Sequence, residues 1–106
     1  MFAYTVGCEF SDSSVAAEWV RWLRDEHLRA VCDAGALDAE VVQFDAMPSA
    51  TVRCEVRYHF ASREEFDRYE RDQAPRLRAE GLKRFPLERG LRYSRATGEV
   101  AARYPQ

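Results

Sequence analysis

At 106 residues, with 46% apolar and 32% charged side chains, the chain has the length and composition of one globular domain, not of a disordered segment. A formal net charge of −2 disfavours a general nucleic-acid binder, and no apolar run approaches the roughly 18 residues of a membrane span. Neither nucleic acid nor membrane is therefore expected as a partner.

The charge is unevenly placed. Residues 1–75 carry 8 basic and 15 acidic side chains, whereas residues 76–106 carry 8 and 3. That layout suits a solvated surface, an anion site or a complementary contact between subunits. The N-terminus lacks a basic leader and alternates where a signal peptide would be solidly apolar, so a cytoplasmic location is expected. Three cysteines, Cys8, Cys32 and Cys54, are an odd number at wide spacing, which is neither a disulfide framework nor a zinc pattern. Cys8 and Cys54 fall in apolar rows of strands and read as small buried hydrophobes.

The first strand is expected over Phe2–Phe10. Phe2, Tyr4, Val6, Cys8 and Phe10 form one row, and Ala3, Thr5, Gly7 and Glu9 the other, the period of two of a sheet with one face in a core. Asp12, Ser13 and Ser14 offer N-caps for a helix that runs to about Ala34. Its apolar stripe is Val15, Trp19, Trp22, Leu23, His27, Ala30 and Val31. Its outer face carries Arg21–Asp25 and Asp25–Arg29 pairs at helical spacing. Gly35 suits the left-handed backbone after its end.

A second strand is expected near Ala39–Met47, a turn at Pro48–Ala50, and a third strand over Thr51–Phe60. In the third, Val52, Cys54, Val56, Tyr58 and Phe60 alternate with Thr51, Arg53, Glu55, Arg57 and His59. Ser62 and Glu65 form a capping box for a helix to about Gln73, with Phe66, Tyr69 and Ala74 inward. Pro75 suits the first turn of a further helix. That helix should be short and basic, end near Arg84 and turn Leu77 and Leu82 inward. A last strand is expected over Arg89–Thr97, carrying Leu91 and Tyr93. Residues 1–97 thus read as one domain and 98–106 as a tail.

The order β-α-β-β-α-β predicts an α+β, ferredoxin-like fold. Its four-stranded antiparallel sheet would carry both helices on one face. The open face is then small on the first strand and charged on the third. It is either a solvent-facing surface or a face that meets a second sheet around a partly polar cavity.

Motifs exclude several functions known on this fold. A metal-cluster carrier needs paired cysteines after the first strand, and an RNA-recognition sheet needs aromatics on its open third strand. Neither is present. No glycine-rich anion loop, P-loop, dinucleotide fingerprint or serine-nucleophile signature occurs either, so no cofactor and no metal are expected. The candidate ligand-binding residues are Glu9, His27, Arg53, Glu55, Arg57 and His59. His27 lies on the buried stripe, as a packed histidine with one nitrogen satisfied or as a general base. Arg53 and Arg57, with His59, would suit a carboxylate, or would pair with Glu55 and Glu9. The basic stretch Arg76, Arg78, Lys83 and Arg84 would suit a phosphate or a solvated face.

Three segments together resemble a known family. They are Glu18-Trp19-Val20-Arg21-Trp22-Leu23 followed by Glu26-His27-Leu28, then Val56-Arg57-Tyr58-His59-Phe60-Ala61-Ser62, and then Ala74-Pro75-Arg76-Leu77-Arg78 leading to Lys83-Arg84-Phe85. Over roughly residues 2–96 the chain resembles a small bacterial family known as domain of unknown function 4286. The resemblance implies membership of the dimeric α/β-barrel group of ferredoxin-like folds, and so a homodimer. The wider group includes cofactor-independent monooxygenases, dye- and chlorite-processing relatives and small-molecule sensors. No catalytic residues carry over, because the family has none established. Two readings stand: a small-molecule-binding or assembly module, and a cofactor-independent enzyme of the barrel monooxygenase type.

Overall fold

The computed structural model describes residues 1–46 and 48–105. Strand β1 (Phe2–Phe10) has the predicted bounds, and its even-numbered row carries Phe2, Tyr4, Cys8 and Phe10 into the core. Asp12 caps the first helix, accepting from the Ser14 amide at 2.8 Å. That helix is not uniform. It is α-helical over Ser13–Trp22 (α1), widens into a π turn over Leu23–His27, and resumes over Leu28–Asp33 (α2).

The π turn corrects the predicted surface pairs. Arg21–Asp25 and Asp25–Arg29 both span the widened turn, where residues four apart no longer face each other. Asp25 pairs instead with Arg24, and Arg29 with Asp33 inside the regular α2. Gly35 has a φ of +138°, the positive backbone expected after the helix.

Strand β2 covers Asp38–Gln43 and β3 covers Val52–Phe60. β2 is shorter than predicted, and the expected end at Met47 lies outside the described residues. Ser62 caps α3 (Arg63–Asp72) by accepting from the Glu65 amide at 3.2 Å. The Glu65 carboxylate pairs with Arg68, so only half of the capping box forms. Gln73 leaves helical backbone geometry, and α4 (Ala74–Arg84) starts with Pro75 in its first turn. Leu77 is buried, but Leu82 is 49% exposed, against the expectation.

Leu87–Arg89 form a short 3-10 turn, and Gly90 takes a φ of +87°. That turn delays the last strand, β4, to Leu91–Glu99, past the predicted end at Thr97.

The sheet order is β2-β3-β1-β4, antiparallel throughout. The fold is ferredoxin-like, as predicted, with the first predicted helix interrupted by the π turn and the break before Pro75 where it was expected. The inner rows of the strands meet the helices in one core, where Phe10 packs edge-on against Trp19 and Phe60 against Phe66. Phe2, Phe10 and Phe60 are fully buried. Burial of each contributes roughly 1.5–3 kcal/mol.

Candidate functional site

The open face of the sheet carries a ladder of ion pairs set by strand register. Glu9 stands opposite Arg53, Glu40 opposite Arg57 and Asp38 opposite His59. Arg53 lies 3.8 Å from Glu9 and 3.1 Å from Glu55. Arg57 lies 3.3 Å from Glu55 and 3.7 Å from Glu40. His59 Nδ1 and Asp38 Oδ1 are hydrogen-bonded at 2.8 Å.

Gly7 makes room for this ladder. A Cβ at that position would stand 2.7 Å from Arg53 Nη2 and 2.7 Å from Ser94 Oγ. The space that the small first-strand residue leaves is therefore taken by the Arg53 guanidinium. Glu9, Arg53, Glu55, Arg57 and His59 share this one face. His27 does not join them, because it lies on the first helical segment, which covers the other face of the sheet.

The basic stretch also fails to gather. Arg76 pairs with Glu80, Arg78 with Glu70 and Arg84 with Glu26, on separate sides of α4. Among the described residues, no three His, Cys, Asp or Glu side chains converge to hold a metal ion.

On the inner side, the two helical segments part above the middle of the sheet. A cavity of about 60 Å³ lies there, room for about five waters at ~10–15 Å³ each. Its floor is Tyr4, Val6, Val56 and Tyr58. Trp19, Trp22 and His27 wall one side, and Leu77, Arg78 and Gly81 the other. Leu82 and Arg95, both exposed, mark its mouth beside Tyr93. This gap explains why Leu82 is not covered and why Val6, an inward residue of a central strand, is only half-buried.

Polar groups meet at one end of the cleft. The Tyr4 hydroxyl accepts from Arg78 Nη2 at 3.1 Å and from Arg95 Nε at 3.2 Å. Arg78 is matched by the Glu70 carboxylate at 2.6 Å, while its Nε is buried without a partner. Among the described residues no carboxylate pairs with Arg95, which lies 5.7 Å from the centre of the Tyr93 ring. Burial pushes the Tyr93 phenol up to about 12 and raises Tyr58 and Tyr69 further, so all three stay neutral.

His27 stacks on Trp22, ring centroids 4.3 Å apart. Burial lowers its pKa to about 4, against a smaller opposing effect of Glu80, so the imidazole is uncharged at neutral pH. The predicted satisfied nitrogen is not found. Among the described residues His27 has no hydrogen-bond partner, and its ring is held by stacking alone. A slot with aromatic rings on one wall and on its floor, and a guanidinium and a phenol at its mouth, suits a planar ligand bearing one polar group.

Sequence reasoning passed over Tyr4, Tyr93, Arg78 and Arg95 as members of this site. Tyr4, Tyr58 and Tyr93 sit in rows that read as plain core. The available signal was the tyrosines themselves, since a buried phenol needs a polar partner. A second signal was Arg95, two residues beyond Tyr93 and hence on the same inward row of β4.

No curated protein matches the chain. Among solved structures, a dimeric ferredoxin-like protein from an uncultured marine organism superposes with a TM-score of 0.71 at 16% identity, covering 100% of both chains. HapK from Hahella chejuensis superposes at 0.68 and 15% identity, covering 100% of this chain and 99% of its own. An ethyl tert-butyl ether d (ethd) family protein from Bacillus halodurans does so at 0.63 and 13% identity, over 93% and 98%. These likenesses show a shared fold. The family assignment comes from sequence: the model of the domain of unknown function DUF4286 matches residues 1–91, and the chain belongs to that family.

Proposed function

We propose that the domain binds a small planar organic molecule in the cleft between helices and sheet, as a homodimer joined through its open sheet faces. The observation that carries the ligand reading is the aromatic-walled gap itself. Protein interiors pack to crystal-like density, so a partly open space at the centre of so small a domain is an exception that a ligand accounts for. Arg53 and Arg57 already face carboxylates, which leaves the ligand role to the inner cleft.

The open face supports the dimer. On its β1–β4 half the outward residues Ala3, Thr5, Gly7, Ser94, Ala96 and Gly98 make a smooth surface, with Glu9 and Arg92 at its end, beside the ladder of ion pairs. A neighbour of the same fold is described as dimeric. Three free cysteines suit a reducing compartment, the cytoplasm.

A thermal-shift panel of planar compounds tests the ligand reading. Wild type should gain melting temperature with at least one class. Val6→Phe, which fills the floor, should gain none. A broad panel without a hit removes the reading. Light scattering tests the dimer, and a strict monomer at micromolar concentration removes it.

His27 favours one second reading. An uncharged imidazole without a hydrogen bond, facing the cleft, could serve as a base in a cofactor-independent enzyme. In that case His27→Ala should abolish turnover of any substrate found while binding persists. Unchanged turnover would remove His27 from the chemistry.

A further inference from the structure

Resting on the cleft reading, we infer that the ligand is a small planar carboxylic acid whose carboxylate is held at the cleft mouth by Arg95 and the Tyr4 hydroxyl. A guanidinium has five N–H groups in a rigid fork. Arg95 spends only its Nε–H on Tyr4, and no carboxylate among the described residues meets its other two nitrogens. Those two nitrogens form the edge that binds a carboxylate through parallel hydrogen bonds.

Tyr4 supplies the second contact. Its oxygen already accepts from two arginines, and its own O–H has no acceptor among the described residues. The free hydrogen is therefore available to an anion. The charge count selects a monoanion. Two guanidinium groups line the cleft and no carboxylate does, but Glu70 matches Arg78. One unmatched positive charge remains, enough for a carboxylate and too little for a phosphate dianion. The cavity beyond is small, about 60 Å³, and it opens at the mouth, so a ligand with one flat ring seats there only partly enclosed.

The test titrates benzoate and trans-cinnamate against their amides, which keep the shape and lose the charge, with phenyl phosphate as a third arm. Binding is followed at pH 7 by the fluorescence of Trp19 and Trp22 and by amide chemical shifts. The acids should bind at least about tenfold more tightly than the amides. Arg95→Gln should close that gap by weakening the acids far more than the amides, and because Arg95 is exposed its loss does not disturb the core. Arg92→Gln, on the opposite face of the same strand, should leave the gap intact.

Equal binding of acids and amides overturns the carboxylate assignment while the cleft stands. A gap that survives Arg95→Gln, or tighter binding of phenyl phosphate, overturns it too. If neither acids nor amides bind, the cleft reading and the assignment fall together.

Discussion

Trp22 and His27, five residues apart, stack nearly face to face, with ring planes 21° from parallel. In a regular α-helix neighbours on one face are three or four residues apart. Here the Leu28 amide donates to the Leu23 carbonyl across the π turn, and the wider repeat brings the two rings into register. The stack walls the cleft and leaves the imidazole half-buried.

His27 should make stability pH-dependent below neutrality. Its folded pKa of about 4 lies below the ordinary 6.5, so between those values the unfolded chain takes up a proton that the folded chain refuses. Stability should therefore fall as pH drops from about 6.5 to about 4, by up to about 3 kcal/mol. Urea denaturation at pH 7.5, 5.5 and 4.5 checks this against His27→Gln, which cannot protonate. The wild type should lose more stability than the variant, and parallel curves would contradict a buried neutral imidazole.

Gly7→Ala should cost about 1 kcal/mol, because the added methyl displaces Arg53 from Glu9 and Glu55. In an Arg53→Ala background the same change should cost less, since only the Ser94 hydroxyl then has to turn aside. A double-mutant cycle by chemical denaturation reads the coupling. Additive costs would mean that Arg53 does not occupy the Gly7 gap.

Tyr4→Phe removes one acceptor from two guanidinium groups and leaves the ring in place. It should destabilise by about 1 kcal/mol, chiefly through Arg78, since exposed Arg95 can turn to water. Equilibrium unfolding measures it. A neutral outcome would mean that Arg78 and Arg95 are satisfied without the phenol.

The thiols should separate by burial. Cys8 and Cys54 are buried partners across β1 and β3, and burial pushes Cys8 up to about 12. Cys32 is only half-buried. A thiol reagent at pH 8, read by mass spectrometry, should label Cys32 alone in the native protein and all three cysteines in denaturant. Native labelling of Cys8 would show that the β1–β3 centre opens.

Alternation along β1 and β3 made the sheet legible before any coordinates, because each side chain's face follows from parity. The caps at Asp12 and Ser62 and the Pro75 start were legible for the same local reason. The π turn was not, since a single shifted hydrogen bond leaves Trp19, Leu23 and Val31 on an ordinary-looking apolar stripe. The charged row of β3 was readable, and its pairing with Glu40 and Asp38 followed once register was known. The cleft was unreadable for a different reason. It depends on how far two helical segments stand apart above Val6, a distance that no local pattern encodes.

Counted in residues, the π turn is a surplus of one. A chain lacking a single residue between 23 and 27 would close that turn into regular helix and leave the remainder of the helix on the same face, because the surplus is absorbed within the turn. The core contacts of α1, of α2 and of the whole sheet would survive such a deletion, and only the spacing within the turn, where His27 meets Trp22, would change. A chain of this family without that surplus residue would thus keep the architecture and differ only in how closely two rings of the helix overlap.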